Sequence, residues 1–215
     1  MGRVPIVAAQ GAGASRAGNA VTQPPAVRMI APGDTNLRPG LLQPDSLTYA
    51  LTGMRNGSVI PVGTITDVLA RDGGTATPLL RRALVVQRGQ AQLVDSTATD
   101  GTSMAARRRV SLQPQRDIRL EYAGRRVRGT IGPNGTPGAP IDTTLAALMF
   151  EASNWDLLVR TMPLAPGYVA QFRVYDLETG SRVYQVRVIG STTLFGEAAH
   201  IVILQLGGSR EITVW

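Results

Sequence analysis

Apolar and polar residues alternate with period two along most of this 215-residue chain, the signature of strands with one buried and one wet face. In 47–51, Leu47, Tyr49 and Leu51 alternate with Thr48 and Ala50. Asn56-Gly57 follows, a pair that accepts positive φ and predicts a tight hairpin turn. The long run 59–69, rich in Val, Ile and Thr, predicts a second strand, with Pro61 placing its start at an edge or bend. Further strands are predicted over 79–87, 90–95, 107–112, 118–122 and 127–131. In 118–122, Ile118, Leu120 and Tyr122 face one side while Arg119 and Glu121 face the other. The pattern is that of a meander.

After the Gly/Pro-rich stretch 132–140, the period changes. Leu145, Leu148 and Met149 recur at helical spacing and predict a helix over 141–151, with Asp142 or Thr143 as its N-cap. In 154–162 (NWDLLVRTM), Trp155, Leu158, Val159 and Met162 share a face, and Pro163 ends that helix by removing a donor and crowding the preceding turn. That stripe reads either as core packing or as the lid of a greasy cavity. Strands return over 168–175, 182–189, 199–206 and 211–215. The last run is still strand-like at Trp215, so the chain is expected to be a fragment whose native C-terminus lies further on. The expected architecture is mainly β: a single antiparallel curved sheet or half-barrel, with a short helical insert packed on it.

Residues 1–45 carry neither period, being rich in Gly, Ala and Pro, and predict a flexible arm ahead of a domain over 46–215. The opening Met-Gly-Arg-Val-Pro-Ile-Val-Ala-Ala-Gln reads equally as the stub of a secretory signal or as an ordinary flexible start. No apolar run approaches the length of a membrane-spanning helix.

Composition narrows the chemistry. With 43% hydrophobic and 17% charged residues the chain is built to fold, and with only 5% aromatics its core must rest on aliphatic side chains. There is no Cys, which excludes disulfides, thiolate metal sites and a cysteine nucleophile. The net charge of +7 comes from Arg alone, since there is no Lys. Together with abundant Ala, Gly and Pro this matches a GC-rich coding bias, and net charge speaks to non-specific binding rather than to fold. No loop has the phosphate-cradling form, and the GxxxxGK[ST] motif is absent.

The single histidine, His200, lies beside Glu197 with no locatable nucleophile, so a structural role is expected. Asp67 with Asp72, and Asp95 with Asp100, read as turn-making residues at strand ends rather than metal ligands. No catalytic residue, metal site or cofactor is expected. Arg107, Arg109, Arg119, Arg126 and Arg128 line up as one outward basic face if their strands pair, able to meet an anionic partner. A nucleic-acid partner is not expected, since only Tyr122 offers a stacking ring near them.

Residues 141–215 resemble the bacterial domain-of-unknown-function family DUF3108. The residues that carry the resemblance are Ile141-Asp142-Thr143-Thr144-Leu145, Trp155-Asp156-Leu157-Leu158, Met162-Pro163-Leu164, Gly167-Tyr168, Val174-Tyr175-Asp176, Val186-Arg187-Val188 and Ile212-Thr213-Val214-Trp215. The resemblance implies an exported all-β protein, periplasmic or in the cell envelope. In architecture it is similar to the half-barrel carriers and receptors of lipoprotein trafficking (the LolA/LolB type), in which an incomplete barrel capped by helices shields acyl chains. It brings no catalytic residues.

The expected function is therefore non-enzymatic binding of an apolar ligand, a lipid or acyl chain, in the concavity of the sheet. Tyr49, Tyr122, Trp155, Leu158, Met162 and Phe172 are the candidate lining residues, and an envelope protein is a candidate partner. The alternative is a structural or interaction module that uses the Arg face.

Overall fold

The computed structural model describes residues 27–73, 78–208 and 210–215. The chain forms two compact units, one of Arg38–Met149 and one that joins the segment up to Leu37 to Phe150–Trp215. In chain order the strands begin with β1 (Arg28–Ile30), β2 (Asp45–Arg55), β3 (Ser58–Asp72), β4 (Leu79–Arg88) and β5 (Ala91–Asp100). Next come β6 (Ala106–Leu112), β7 (Arg116–Ala123), β8 (Arg126–Pro133), β9 (Ala139–Thr144) and β10 (Phe150–Glu151). Helix α1 (Trp155–Arg160) precedes β11 (Val169–Asp176), β12 (Gly180–Leu194), β13 (Glu197–Gln205) and β14 (Glu211–Val214).

The first unit is an eight-stranded antiparallel meander in the order β2 to β9. Short turns let each strand pair with its successor, which is the cheapest antiparallel connection. At the β2–β3 turn Asn56 and Gly57 take φ of 50° and 78°, as the sequence predicts for a right-twisted hairpin. The side carrying Leu69, Leu80, Ile118, Leu120, Tyr122 and Val127 is buried.

The second unit holds a six-stranded sheet. Here β11 pairs antiparallel with β12, while β1 and β10 both lie parallel to β11. Parallel neighbours need a crossover, which is where α1 falls, between β10 and β11. This corrects the expected single sheet. An antiparallel meander cannot pass through a parallel crossover, so the pairing stops at β9 and a separate sheet forms around β11. Its core contains Phe172, Val174, Val186 and Leu204, all at 0% exposure. Phe172 meets Phe150 and Tyr184 edge to face, at 6.1 and 5.8 Å.

Two further expectations change. The helix over 141–151 does not form: Ala139–Thr144 is β9, and Phe150–Glu151 is β10. The β-branched Ile141, Thr143 and Thr144 fit a pleated strand, and Asp142 is an ion-pair partner of Arg126 rather than a helix cap. Of the expected arm, residues 27–45 are built into the two units through β1, a 3-10 turn at Pro39–Leu41, and the buried Ile30, Leu37 and Leu42. Residues 1–26 of that arm lie outside the described residues.

Candidate functional site

Asp100 ends β5 and builds the turn that follows. Its Oδ1 accepts the amides of Thr102 (3.0 Å) and Ser103 (2.9 Å). Its own amide donates to the Ala105 carbonyl, and its carbonyl accepts the Met104 amide, each at 2.9 Å. Gly101 donates to the Pro78 carbonyl at 2.7 Å; a Cβ on Gly101 would lie 2.8 Å from that oxygen, so only glycine fits. Met104 is held at φ 61° while only 2% exposed. A left-handed conformation in a residue other than glycine stores strain of order 1–3 kcal/mol, and such strain gathers at functional sites.

The other Asp100 oxygen, Oδ2, accepts Nη2 of Arg107 at 2.9 Å. Arg107 occupies a β-bulge: Thr99 pairs with Ala106 and Ala98 with Arg108, leaving Arg107 as the extra residue. A bulge re-aims the side chain it carries. Burial works against the Asp100 charge. Hydrogen bonds from the Ser103 amide, the Arg107 guanidinium, the Thr102 amide and the Ser103 hydroxyl outweigh it and hold the pKa at about 2.

Beside this turn lies a cavity of about 210 Å³. Ala105, Ala106, Tyr122, Leu145, Leu148 and Met149 supply its apolar lining, Gly124 adds backbone, and Ser103 and Arg107 are its polar members. Segment 145–149 is tied over it: Leu145 donates to the Arg125 carbonyl at 2.8 Å, and Arg125 Nη1 reaches the Ala146 carbonyl at 3.3 Å. Tyr122, Leu145 and Met149 are each 6% exposed, while Leu148 is 44% exposed and stands at the mouth. The volume exceeds the ~150 Å³ apolar cavity that takes up benzene, and falls short of the ~300–1,000 Å³ typical for drug-sized ligands. It suits a small molecule.

The five arginines do not form one face. Arg109 points to the side opposite Arg119, Arg126 and Arg128; it sits in register between Thr97 and Leu120 and is only 9% exposed. There it pairs with Asp95 at 2.9 Å. On the same side Arg82 pairs with Asp67 at 2.7 Å. On the outward side Arg108, Glu121, Arg128 and Asp142 stand opposite one another on four successive strands, alternating in sign. Asp142 draws in Arg126 at 2.7 Å and Arg128 at 3.4 Å, Asp117 takes Arg119 at 3.5 Å, and Arg107 has Asp100. The parity assumed for Arg107 and Arg109 fails because the bulge at Arg107 shifts the alternation.

The six candidate lining residues fall in different places. Leu158, Met162 and Phe172 are buried core of the second unit at 1%, 4% and 0% exposure. Trp155 is half-buried at the start of α1. Tyr49 is half-buried in β2, on the same side of its sheet as Leu47, Leu51 and Ile65. Of the six, Tyr122 lines the cavity. Among the acids read as turn residues, Asp100 makes turn bonds, whereas Asp67, Asp72 and Asp95 face Arg82, Arg81 and Arg109. His200 lies 3.2 Å from the Ser191 hydroxyl across β12 and β13. Among the described residues no carboxylate hydrogen-bonds to this exposed pair, and no group of three or more His, Asp or Glu is placed to hold a metal.

Sequence reasoning missed Leu145, Leu148 and Met149 as cavity wall, having placed them on a helix, and Asp100 as the anchor of Arg107. The available signal was the spacing of Asp100 and Arg107 around a Gly-Thr-Ser turn.

These features define a mainly antiparallel β protein with a small cavity rimmed by an anchored arginine. The chain belongs to the family described as protein of unknown function (DUF3108), whose profile matches residues 48–215. No curated protein and no solved structure matches it.

Proposed function

We propose that this chain is a non-enzymatic binding protein of the cell envelope that holds an apolar ligand. The observation that carries the reading is the cavity of about 210 Å³ walled by Ala105, Ala106, Tyr122, Leu145, Leu148 and Met149. Each methylene taken from water into such a site contributes about 0.8 kcal/mol, so a short acyl chain or a single ring is held by its body alone. The envelope placement belongs to the same proposal and rests on what the family resemblance read from the sequence implies. Fractionation of cells tests it, and recovery with cytoplasmic markers overturns it.

The ligand reading is tested by native mass spectrometry before and after organic extraction, with uptake of a fluorescent fatty-acid probe. A released apolar molecule, or probe uptake abolished by Leu148→Trp, supports it. A bare mass with no uptake overturns it. The alternative, an Arg face that meets an anionic partner, is disfavoured because Arg109 lies on the opposite side of the sheet, paired with Asp95, and Arg119, Arg126 and Arg128 are taken up by Asp117 and Asp142.

A further inference from the structure

We infer that the cavity selects for an anionic head, and that its ligand is a small carboxylate with an aliphatic or single-ring body, met at the rim by the Arg107 guanidinium. The inference rests on the proposed reading of the cavity as a binding site and adds the class of ligand.

Three observations lead to it. First, Arg107 is the only charged residue of the lining among the described residues, and it is carried by a bulge instead of by ordinary alternation. Second, a guanidinium carries five N–H donors, and Asp100 takes Nη2; the Nε and Nη1 donors have no partner among the described residues. Third, the arginine is held in advance. Its anchor Asp100 is 5% exposed and is fixed by the amides of Thr102 and Ser103, so little side-chain freedom remains to be lost when a ligand arrives.

Asp100 does not cancel the attraction. Its Oδ1 is turned into the amides of its own turn, so the carboxylate is satisfied from two sides. A planar carboxylate fits the guanidinium fork, and such charge-assisted pairs are about twice as strong as neutral ones. The apolar wall then limits the body to what about 210 Å³ accepts.

The test is calorimetric titration of the full chain at neutral pH and low salt with three probes that share one tail: octanoate, octanol and octyl phosphate. The expected result is octanoate bound about tenfold or more tighter than octanol, as one charge-assisted contact predicts. Arg107→Gln is expected to remove that preference, and Arg107→Lys to keep part of it. Octanol bound as tightly as octanoate overturns the anionic head and leaves the cavity reading standing. Octyl phosphate bound tenfold tighter than octanoate overturns the carboxylate assignment. Binding of none of the three overturns both the inference and the reading beneath it. The comparison of probes on the wild-type chain decides the matter even if Arg107→Gln fails to fold.

Discussion

Arg82 and Asp67 meet at 2.7 Å on neighbouring strands of the eight-stranded sheet, with side-chain exposures of only 8% and 16%. They lie diagonally across the pairs Leu69–Arg82 and Asp67–Leu84. Arg109 and Asp95 repeat the arrangement two strands away, with Thr97 in register between Arg82 and Arg109. Charges this far from water are tolerated only because each carboxylate faces a guanidinium in good geometry.

Removing one partner therefore leaves a buried charge poorly compensated. Asp67→Ala is expected to cost about 3 kcal/mol, read as a lower midpoint in urea unfolding at unchanged slope. The paired replacement Asp67→Leu with Arg82→Met should recover most of that loss, because a well-packed apolar pair substitutes for an ion pair at little cost. A double variant no more stable than Asp67→Ala would show that the pair is valued for something other than mutual neutralisation.

Asp100 gives a pH dependence. Its folded pKa of about 2 lies below the ordinary 3.8, so between those values the unfolded chain binds protons that the folded one does not. The contribution is complete above about pH 5 and is lost as pH falls through about 2, with a size on the order of 2 kcal/mol. Asp100→Asn should lower stability at neutral pH and flatten this acid limb. Unfolding midpoints of the two proteins at several pH values between about 6 and 2 provide the check. Parallel acid limbs in both would assign the loss to other carboxylates.

The strands and turns were legible because each depends on local sequence. Alternation marks Ile118, Leu120 and Tyr122 as inward, and Asn56-Gly57 can hardly be anything but a hairpin turn. What was not legible depends on register. Arg109 and Asp95 are 14 residues apart in sequence, and only the β5–β6 bulge decides that they meet on the buried side. Leu145, Leu148 and Met149 have helical spacing, yet β9 runs directly into them, and the bond from the Leu145 amide to the Arg125 carbonyl ties the segment to the β7–β8 turn instead of to a helical turn. The cavity joins the β5–β6 turn, the end of β7 and this segment, three stretches that no local pattern connects.

Glycine positions offer a separate check on register. A Cβ on Gly129 would stand 1.8 Å from the Arg119 carbonyl oxygen, and one on Gly63 would stand 1.9 Å from that of Gln87. Both obstacles are backbone, so the strands must separate to admit a methyl group. Gly129→Ala is expected to destabilise the protein by about 2 kcal/mol or more. Gly190→Ala meets only the Ile201 Cδ1 at 4.0 Å and should be close to neutral. Thermal unfolding of the two variants distinguishes them, and equal melting temperatures would contradict the β7–β8 register.

Core packing and ligand contact are separable at Phe172 and Leu148. Phe172 is fully buried between Phe150 and Tyr184, so Phe172→Ala should cost about 3–5 kcal/mol through the cavity it leaves and the lost ring contacts. The residue lines no part of the Tyr122 cavity. Below its lowered melting temperature the variant should still take up octanoate with wild-type affinity. Leu148→Trp is the converse. At 44% exposure the larger ring disturbs little of the packed interior, so stability should stay within about 0.5 kcal/mol of wild type. The indole fills the mouth, however, and binding should be lost. A Phe172 variant that folds but no longer binds would move the ligand site into the second unit, and a Leu148→Trp protein that binds normally would remove it from the first.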